Sequence, residues 1–307
     1  MRPSLALALV LAAALAATTF LTATEAAAGV KVVTTVPSLA ALARDVGGDR
    51  VELTALVLPT QDAHFVDAKP SLVLRLNKAD LLIAVGADLE VGWLPALQTQ
   101  ARNPRILSSG AGYLECAQHV RLRDQPSGPV DRSQGDVHPT GNPHYLFDPR
   151  AAAACARAIA AALARVDPRN AATYRANLDR FLTRLDTARA RWEKRLAPYR
   201  GAPIITYHRS LTYLVDWLGL VEVATLEPKP GIPPTARHVA NVIRTGKDRG
   251  VKVVLQEAYY PDKTGSLVAQ RLGARVVRIP GGADVGRGQS YLAHLDELVD
   301  RLAEGFR

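Results

Sequence analysis

The sequence predicts an α/β protein of two lobes, each with a parallel sheet, joined by one long helix. Short runs of β-branched and apolar residues alternate with segments of helical spacing in both halves of the chain. Beyond its leader the chain has about 280 residues, more than one hydrophobic core usually serves. One central helical pattern is much longer than the others. These observations predict a first lobe over residues 29–166, a linking helix over 167–198 and a second lobe over 199–307.

Residues 1–28 form a predicted secretory signal peptide. Arg2 gives a basic start, residues 5–17 are an unbroken apolar run, and three alanines at 26–28 precede the expected cleavage point. The apolar run is too short for a membrane span, and no later stretch reaches the roughly 20 apolar residues that a spanning helix needs. No cysteine follows the cleavage point, so we expect a soluble, exported protein without a lipid anchor.

The elements of both lobes follow from hydrophobic periodicity. In the first lobe, strands are predicted at 30–36, 51–57 and 81–85, with helices at 38–46 and 71–80. In the second lobe, strands are predicted at 203–207, 251–256 and 275–279, with helices at 210–218, 235–249 and 266–272.

The linking helix has the most regular pattern. Asp167 is the predicted N-cap and Pro168 the first helical residue, and Pro198 and Gly201 end the helix. About 30 residues at 1.5 Å per residue would span about 45 Å, enough to run along both lobes. Its apolar face, spaced by three and four, consists of Tyr174, Leu178, Phe181, Leu185, Ala188, Trp192 and Leu196. Ahead of this helix, residues 124–142 are polar and rich in Pro and Gly, which predicts a loop.

Composition limits the possible functions. The net charge of +9 is spread as single arginines without basic blocks, so it does not indicate nucleic-acid binding. Cys116 and Cys155 are the only cysteines, and the sequence leaves open whether they pair. The only methionine is the initiator, so a thioether site for Cu(I) is excluded and imidazole and carboxylate chemistry remain.

Three histidines each stand where a strand or loop leads into a helix: His64 in QDAHF, His144 in GNPHYLFDP and His208 in ITYHRS. His64 and His208 follow predicted strands, at the edge where open α/β sheets bind ligands. His144 precedes a helix that opens at Asp148 and Pro149, and the positive end of that helix favours a neutral imidazole, the form that binds metal. The pattern predicts that these imidazoles converge on one zinc ion.

A tetrahedral zinc site would need a fourth donor. Asp284, in a glycine-rich turn after the strand at 275–279, is the preferred candidate because a flexible turn can bring an oxygen to the ion. Glu257 is the alternative, either as ligand or as an acceptor for an imidazole N–H, and Asp62 is a third possible donor.

The other histidines are expected to have different roles. His238 and His294 fall inside predicted helices and are interpreted as surface or packing residues, and His119 stands alone. His138 lies in the predicted loop, either as a solvated residue or as a transient metal carrier.

These segments resemble the cluster A-I solute-binding proteins, the zinc- and manganese-binding components of bacterial ABC importers. The resemblance covers essentially the whole mature chain, and the order and spacing of the motifs make it specific. Its motifs are VVTTVPSLAALARDVGGD, DAHFVDAKPS, ADLLIAVGADLE, GNPHYLFDPR, ITYHRSLTYLVDWLGL, PGIPPT and SYLAHLDELVDRLAEG.

The resemblance implies a metal held between two lobes, with His64, His144 and His208 at the three ligand positions and an aspartate, here Asp284, as the usual fourth. Histidine rather than glutamate at the third position favours Zn²⁺, with Mn²⁺ possible. The implied function is periplasmic metal capture by a monomer that docks at the inner membrane on a permease driven by a cytoplasmic ATPase.

Two other classes of protein could also use such histidines. A secreted zinc hydrolase would need an open coordination position and a general base, and the chain has neither HExxH nor GxSxG. A binder of haem or of a chelated metal would be distinguished by its optical spectrum, since zinc sites are colourless.

Overall fold

The computed structural model describes residues 29–128, 130, 135 and 137–307. The predicted signal peptide lies outside these residues, as does part of the predicted loop at 124–142. Within the described part of the chain, no helix combines the length and apolarity needed to cross a membrane.

The first lobe contains a four-stranded parallel sheet in the order β2-β1-β3-β4. Helices cover both faces of this sheet, which is why its central strands are continuous apolar runs. The strands are β1 (Val30–Thr34), β2 (Val51–Ala55), β3 (Leu81–Ala84) and β4 (Tyr113–Glu115), and the helices are α1 (Pro37–Gly47), α2 (Pro70–Asn77), α3 (Leu94–Ala101) and α4 (Pro149–Val166).

The second lobe repeats this topology, with a parallel sheet in the order β6-β5-β7-β8. The strands are β5 (Pro203–Thr206), β6 (Val221–Thr225), β7 (Val253–Glu257) and β8 (Arg275–Ile279), and the helices are α6 (Thr212–Leu218), α7 (Ala236–Asp248), α8 (Asp262–Leu272) and α9 (Tyr291–Gly305). The predicted fold class is confirmed, although β4, β6 and α3 were not predicted.

The linking helix, α5 (Ala171–Leu196), begins later than predicted. Pro168–Asn170 forms a 3-10 turn before it, and the Asp167 side chain accepts hydrogen bonds from Tyr174 and Asn170 instead of capping the helix. Its 26 residues span about 39 Å. The predicted apolar face of α5 is buried at every position but Leu178, which is half-buried. Asn177 is buried in its place and donates to the carbonyl of Val46.

One apolar core runs through both lobes. It includes β-strand residues from each sheet, such as Val32 and Leu255, together with the inner faces of α4, α5 and α9. Trp192 on α5 is 1% exposed, and its indole N–H donates to Asp296 on α9, 2.6 Å away. The lobes are therefore held in a fixed relation by shared packing, and the carboxyl ends of their strands border one cleft.

Cys116 and Cys155 lie in the first lobe as buried free thiols. The pKa of Cys116 is raised well above its ordinary value by contact with Cys155 and by burial. Both side chains therefore serve as small apolar core residues.

Candidate metal centre

Three imidazoles meet in the cleft between the lobes. His64 comes from the loop after β2, His144 from the turn before α4, and His208 from the end of β5. Their ring centroids are 5.1 to 5.6 Å apart, and one nitrogen from each ring lies within 4.8 Å of the other two. Among the described residues, no other group of three or more His, Cys, Asp or Glu side chains is this close.

The imidazoles of His64 and His144 are each held by a local turn of the same kind. In Asp62-Ala63-His64 the aspartate Oδ1 accepts from the backbone N–H of His64 at 2.9 Å and lies 2.7 Å from its ring Nδ1. In Asn142-Pro143-His144 the amide Oδ1 makes the same two contacts, at 3.0 and 2.9 Å. An Asp or Asn two residues before a histidine thus fixes both the backbone and the ring.

The third imidazole is held from another part of the chain. Nδ1 of His208 lies 2.8 Å from Oε2 of Glu227, in the loop after β6. The same oxygen accepts the backbone N–H of Gly231 at 2.9 Å. Both His208 and Glu227 are buried, so this contact is shielded from water.

These contacts decide which ring nitrogens face the cleft. A carboxylate oxygen can only accept, so Nδ1 carries the proton in His64 and His208. The Asn142 amide nitrogen donates to the carbonyl of Arg209 at 2.8 Å, so its oxygen faces His144 and Nδ1 donates there too. In the neutral rings each Nε2 therefore carries the lone pair, and an oxygen acceptor behind a ligating imidazole is the arrangement found at metal sites.

Burial and neighbouring charges set the protonation states. Burial, with the adjacent rings, holds the pKa of His144 well below its ordinary value, so this ring is neutral. Burial by itself would lower the pKa of His208, but the bond to Glu227 and the charges of Glu227, Glu257 and Asp62 together raise it. Burial by itself would raise the pKa of Asp62, but its bonds to His64 and the charges of His64 and His208 together lower it, so the side chain is a carboxylate.

A fourth imidazole lies beside the three. The Nε2 atoms of His138 and His64 are 3.2 Å apart, and the two rings are stacked. Burial and the neighbouring imidazoles lower the pKa of His138 to about 3. His138 is half-buried and contacts the ring of His64.

Neither carboxylate predicted as fourth ligand belongs to the close group of three imidazoles. The turn that carries Asp284 is pinned to the first lobe, since Gly281 N–H donates to the carbonyl of Pro59 at 3.2 Å. The Asp284 carboxylate accepts from the backbone N–H of Arg287 and is partly exposed. The turn is therefore less free than the sequence suggested, and Asp284 does not join the imidazole group.

Glu257 ends β7 and is completely buried. Burial raises the pKa of this carboxyl, and its Oε2 has no hydrogen-bond partner among the described residues. Glu257 also does not belong to the close group of three histidines. The residues that accept from the imidazole N–H groups are instead Asp62, Asn142 and Glu227.

Sequence reasoning missed two of those acceptors. Asn142 could have been found, because NPH repeats the DAH pattern with an amide in place of the carboxylate. No local signal pointed to Glu227, which meets His208 only through the tertiary fold. The remaining histidines lie outside the centre: His119 is exposed, His238 contacts the carbonyl of Thr225, and His294 is buried in the core.

The centre is open to small solutes. A cavity of about 420 Å³ is bordered by His138, His144, His208 and Pro230, and it leads from the surface to the imidazoles. Imidazole nitrogens that converge at the base of such a cavity can bind a divalent transition-metal ion.

Comparison with known proteins agrees with this interpretation. The iron-binding protein YfeA of Yersinia pestis is 26% identical over 286 residues, covering 90% of this chain and 86% of its own. The manganese ABC transporter substrate-binding lipoprotein PsaA of Streptococcus pneumoniae is 22% identical over 291 residues, covering 90% and 88%. A crystal structure of ZnuA matches with a TM-score of 0.76 at 24% identity, covering 90% of this chain and 99% of that chain.

Fold, centre and relatives together define the periplasmic metal-binding component of an ABC importer. The family model described as "Zinc-uptake complex component A periplasmic" matches residues 32–305, and the chain belongs to this family. Such a component partners a membrane permease and an ATPase and is not an enzyme, so the alternative of a secreted hydrolase is rejected. The names of the relatives differ in their metal, iron in one and manganese in another.

Proposed function

We propose that this protein captures Zn²⁺ in the periplasm and delivers it to its permease, with His64, His144 and His208 as ligands. The observation that carries the proposal is the donor set: three imidazoles that lie close together, each with its Nδ1 bound to an oxygen. Imidazole nitrogen suits zinc, whereas manganese prefers carboxylate, carbonyl and water oxygen.

Manganese is the second candidate, because the relative PsaA is named for it. The carboxylates nearest the centre argue against it. The Asp62 and Glu227 oxygens closest to the rings bond to imidazole N–H groups and so support the rings. An ion at the Nε2 atoms therefore meets mainly nitrogen.

Metal analysis after equilibrium dialysis tests this proposal. We expect one Zn²⁺ per chain near neutral pH, retained when Mn²⁺ is in large excess. His144→Ala should lose the ion, while the exposed control His119→Ala should keep it. A wild-type protein that binds no Zn²⁺, or that releases it to Mn²⁺, would refute the proposal.

Delivery is proposed to occur from a monomer that docks reversibly on the permease. The continuous core described above disfavours a large hinge motion, so release would need only local displacement of a ligand loop. Light scattering of the zinc-loaded protein should give the mass of one chain, and a stable dimer would contradict this part.

The signal peptide proposed for residues 1–28 would be removed on export, which intact mass of the exported protein measures.

A further inference from the structure

Asn142 connects the segments that carry two of the three imidazoles. Its side-chain oxygen accepts from the backbone N–H of His144 at 3.0 Å and lies 2.9 Å from the ring Nδ1. Its side-chain nitrogen donates to the carbonyl of Arg209, the residue after His208, at 2.8 Å. Asn142 is 7% exposed, so these bonds are shielded from water. One buried amide thus joins the turn before α4 in the first lobe to the segment after β5 in the second.

Asp124 completes this connection from the other side. Its Oδ2 accepts from the Asn142 side-chain nitrogen at 3.1 Å and from the Thr212 hydroxyl at 3.2 Å. Its Oδ1 accepts from the Arg209 guanidinium, also at 3.1 Å. Asp124 has φ of +51°, a left-handed conformation that is uncommon outside glycine and persists where surrounding contacts determine it. The carboxylate is therefore held in a defined place between Asn142 and the start of α6.

Tyr213 fixes the backbone beside these two residues. Its phenol oxygen accepts from the N–H of Arg123 at 2.8 Å and donates to the carbonyl of Asn142 at 2.7 Å. Arg123 and Asn142 also form an antiparallel bridge, in which Asn142 N–H donates to the Arg123 carbonyl at 2.8 Å. Tyr213 lies on α6 and is 2% exposed. The segment ahead of His144 is thus attached to the second lobe through both main chain and side chains.

The contacts at position 142 require an amide. A carboxylate accepts but does not donate, so an aspartate there would face the Arg209 carbonyl and the Asp124 carboxylate without a proton to share. Asp62 provides the contrast, because it holds His64 with the same two contacts through one carboxylate oxygen. The turn of His64 therefore uses only an acceptor, whereas the turn of His144 uses an acceptor and a donor.

We propose that Asn142 and Asp124 form a positioning pair that couples His144 to His208 across the cleft and keeps both imidazoles at the spacing a metal ion requires. This inference rests on the proposed function and deepens it. The bonds of the pair hold the two ligand segments to each other, so displacement of either segment moves the other. Capture and release of the ion therefore engage both ligands together.

The substitution Asn142→Asp tests the proposal, because two roles of this residue predict opposite results. A residue that only orients the His144 ring would serve equally well or better as a carboxylate, as Asp62 does for His64. A residue that couples two segments needs its donor. We expect zinc affinity, measured by chelator competition at neutral pH, to fall about 10- to 100-fold. The matched control Asn241→Asp, at an exposed position on α7, should equal the wild type.

Reversing the pair is the rescue experiment. In the double variant Asn142→Asp/Asp124→Asn, an amide at position 124 donates to a carboxylate at position 142, which restores both their hydrogen bond and the net charge. This protein should bind zinc about tenfold more tightly than Asn142→Asp alone. It should stay weaker than the wild type, because the bond to the Arg209 carbonyl is still missing. Asp124→Asn alone should weaken binding less than Asn142→Asp, since its amide oxygen still accepts from Asn142.

Failure of this inference is distinguishable from failure of the proposed function. A wild type that binds no zinc refutes both. A wild type that binds zinc, with Asn142→Asp equal to it or tighter, refutes only the coupling. A weakened Asn142→Asp that the second substitution does not rescue also refutes it, because the loss would then reflect damage to the fold. Urea denaturation with chelator shows whether each variant is folded; if Asn142→Asp is not, wild-type affinity in Asp124→Asn is the refuting result.

Discussion

His294 predicts a measurable link between pH and stability. Its ring, on α9, is 1% exposed, its Nδ1 has no partner among the described residues, and Phe147 lies 6.4 Å away between ring centroids. Burial lowers its pKa from 6.5 to about 4, although Glu297 opposes this shift. Between these values the unfolded chain binds more protons than the native protein, so native stability falls as pH falls from 6.5 towards 4.

The magnitude follows from the two pKa values. At 1.36 kcal/mol for each pKa unit, the full loss is about 3 kcal/mol, of which about 2 kcal/mol is lost by pH 5.0. Replacing the ring, as in His294→Leu, removes this contribution. Between pH 7.5 and 5.0 the wild type should therefore lose about 2 kcal/mol more unfolding free energy than the variant.

Urea denaturation at the two pH values measures this difference. A chelator must be present, because bound zinc would add its own pH dependence. The exposed control His119→Leu should behave as the wild type. Parallel losses in wild type and His294→Leu would refute the assignment of a neutral, buried imidazole.

Three further predictions concern the centre and the linking helix. Zinc at 100 times its dissociation constant should raise the unfolding free energy by about 2.7 kcal/mol, measured by denaturation with and without metal, and no shift would contradict binding to the native state. Glu227→Gln should weaken zinc binding about 10- to 100-fold in a chelator competition, because a neutral amide holds the ring of His208 less firmly; unchanged affinity would contradict that role. Trp192→Ala should lower the unfolding free energy, measured by urea denaturation, by about 3 to 5 kcal/mol, since it removes a buried indole that bonds to α9. A loss under about 1 kcal/mol would contradict its place in the shared core.

Much of the fold could be predicted because its signals are local. The strand at 275–279 was predicted with its observed bounds, since three β-branched residues in a segment between Gly273 and Pro280 are a local signal. By contrast, β4 has only three residues, too few for a pattern to be recognised, and it forms by pairing with β3. The start of α5 was misplaced because the Asp167 side chain accepts from Tyr174, about two helical turns further on, instead of capping the helix.

The candidate site shows the same contrast between features with local signals and features set by long-range contacts. His64, His144 and His208 could be predicted to converge because strand ends and helix starts can be located from sequence. Neither the pairing of Glu227 with His208 nor the place of His138 could be predicted, because both depend on contacts between segments far apart in the chain. The preference for Asp284 treated its glycine-rich turn as free, while a backbone hydrogen bond from Gly281 to Pro59 ties the turn to the first lobe.

The wide separation of the three imidazoles along the polypeptide has a consequence for biogenesis. Compact zinc modules gather their ligands within a short peptide, so the ion itself can nucleate their folding. Here a nascent or partly translocated chain has no complete coordination sphere, because the last histidine arrives only with the second sheet. The metal ion therefore cannot nucleate the folding of this protein. Only a completely folded chain can bind the ion and carry it to the permease.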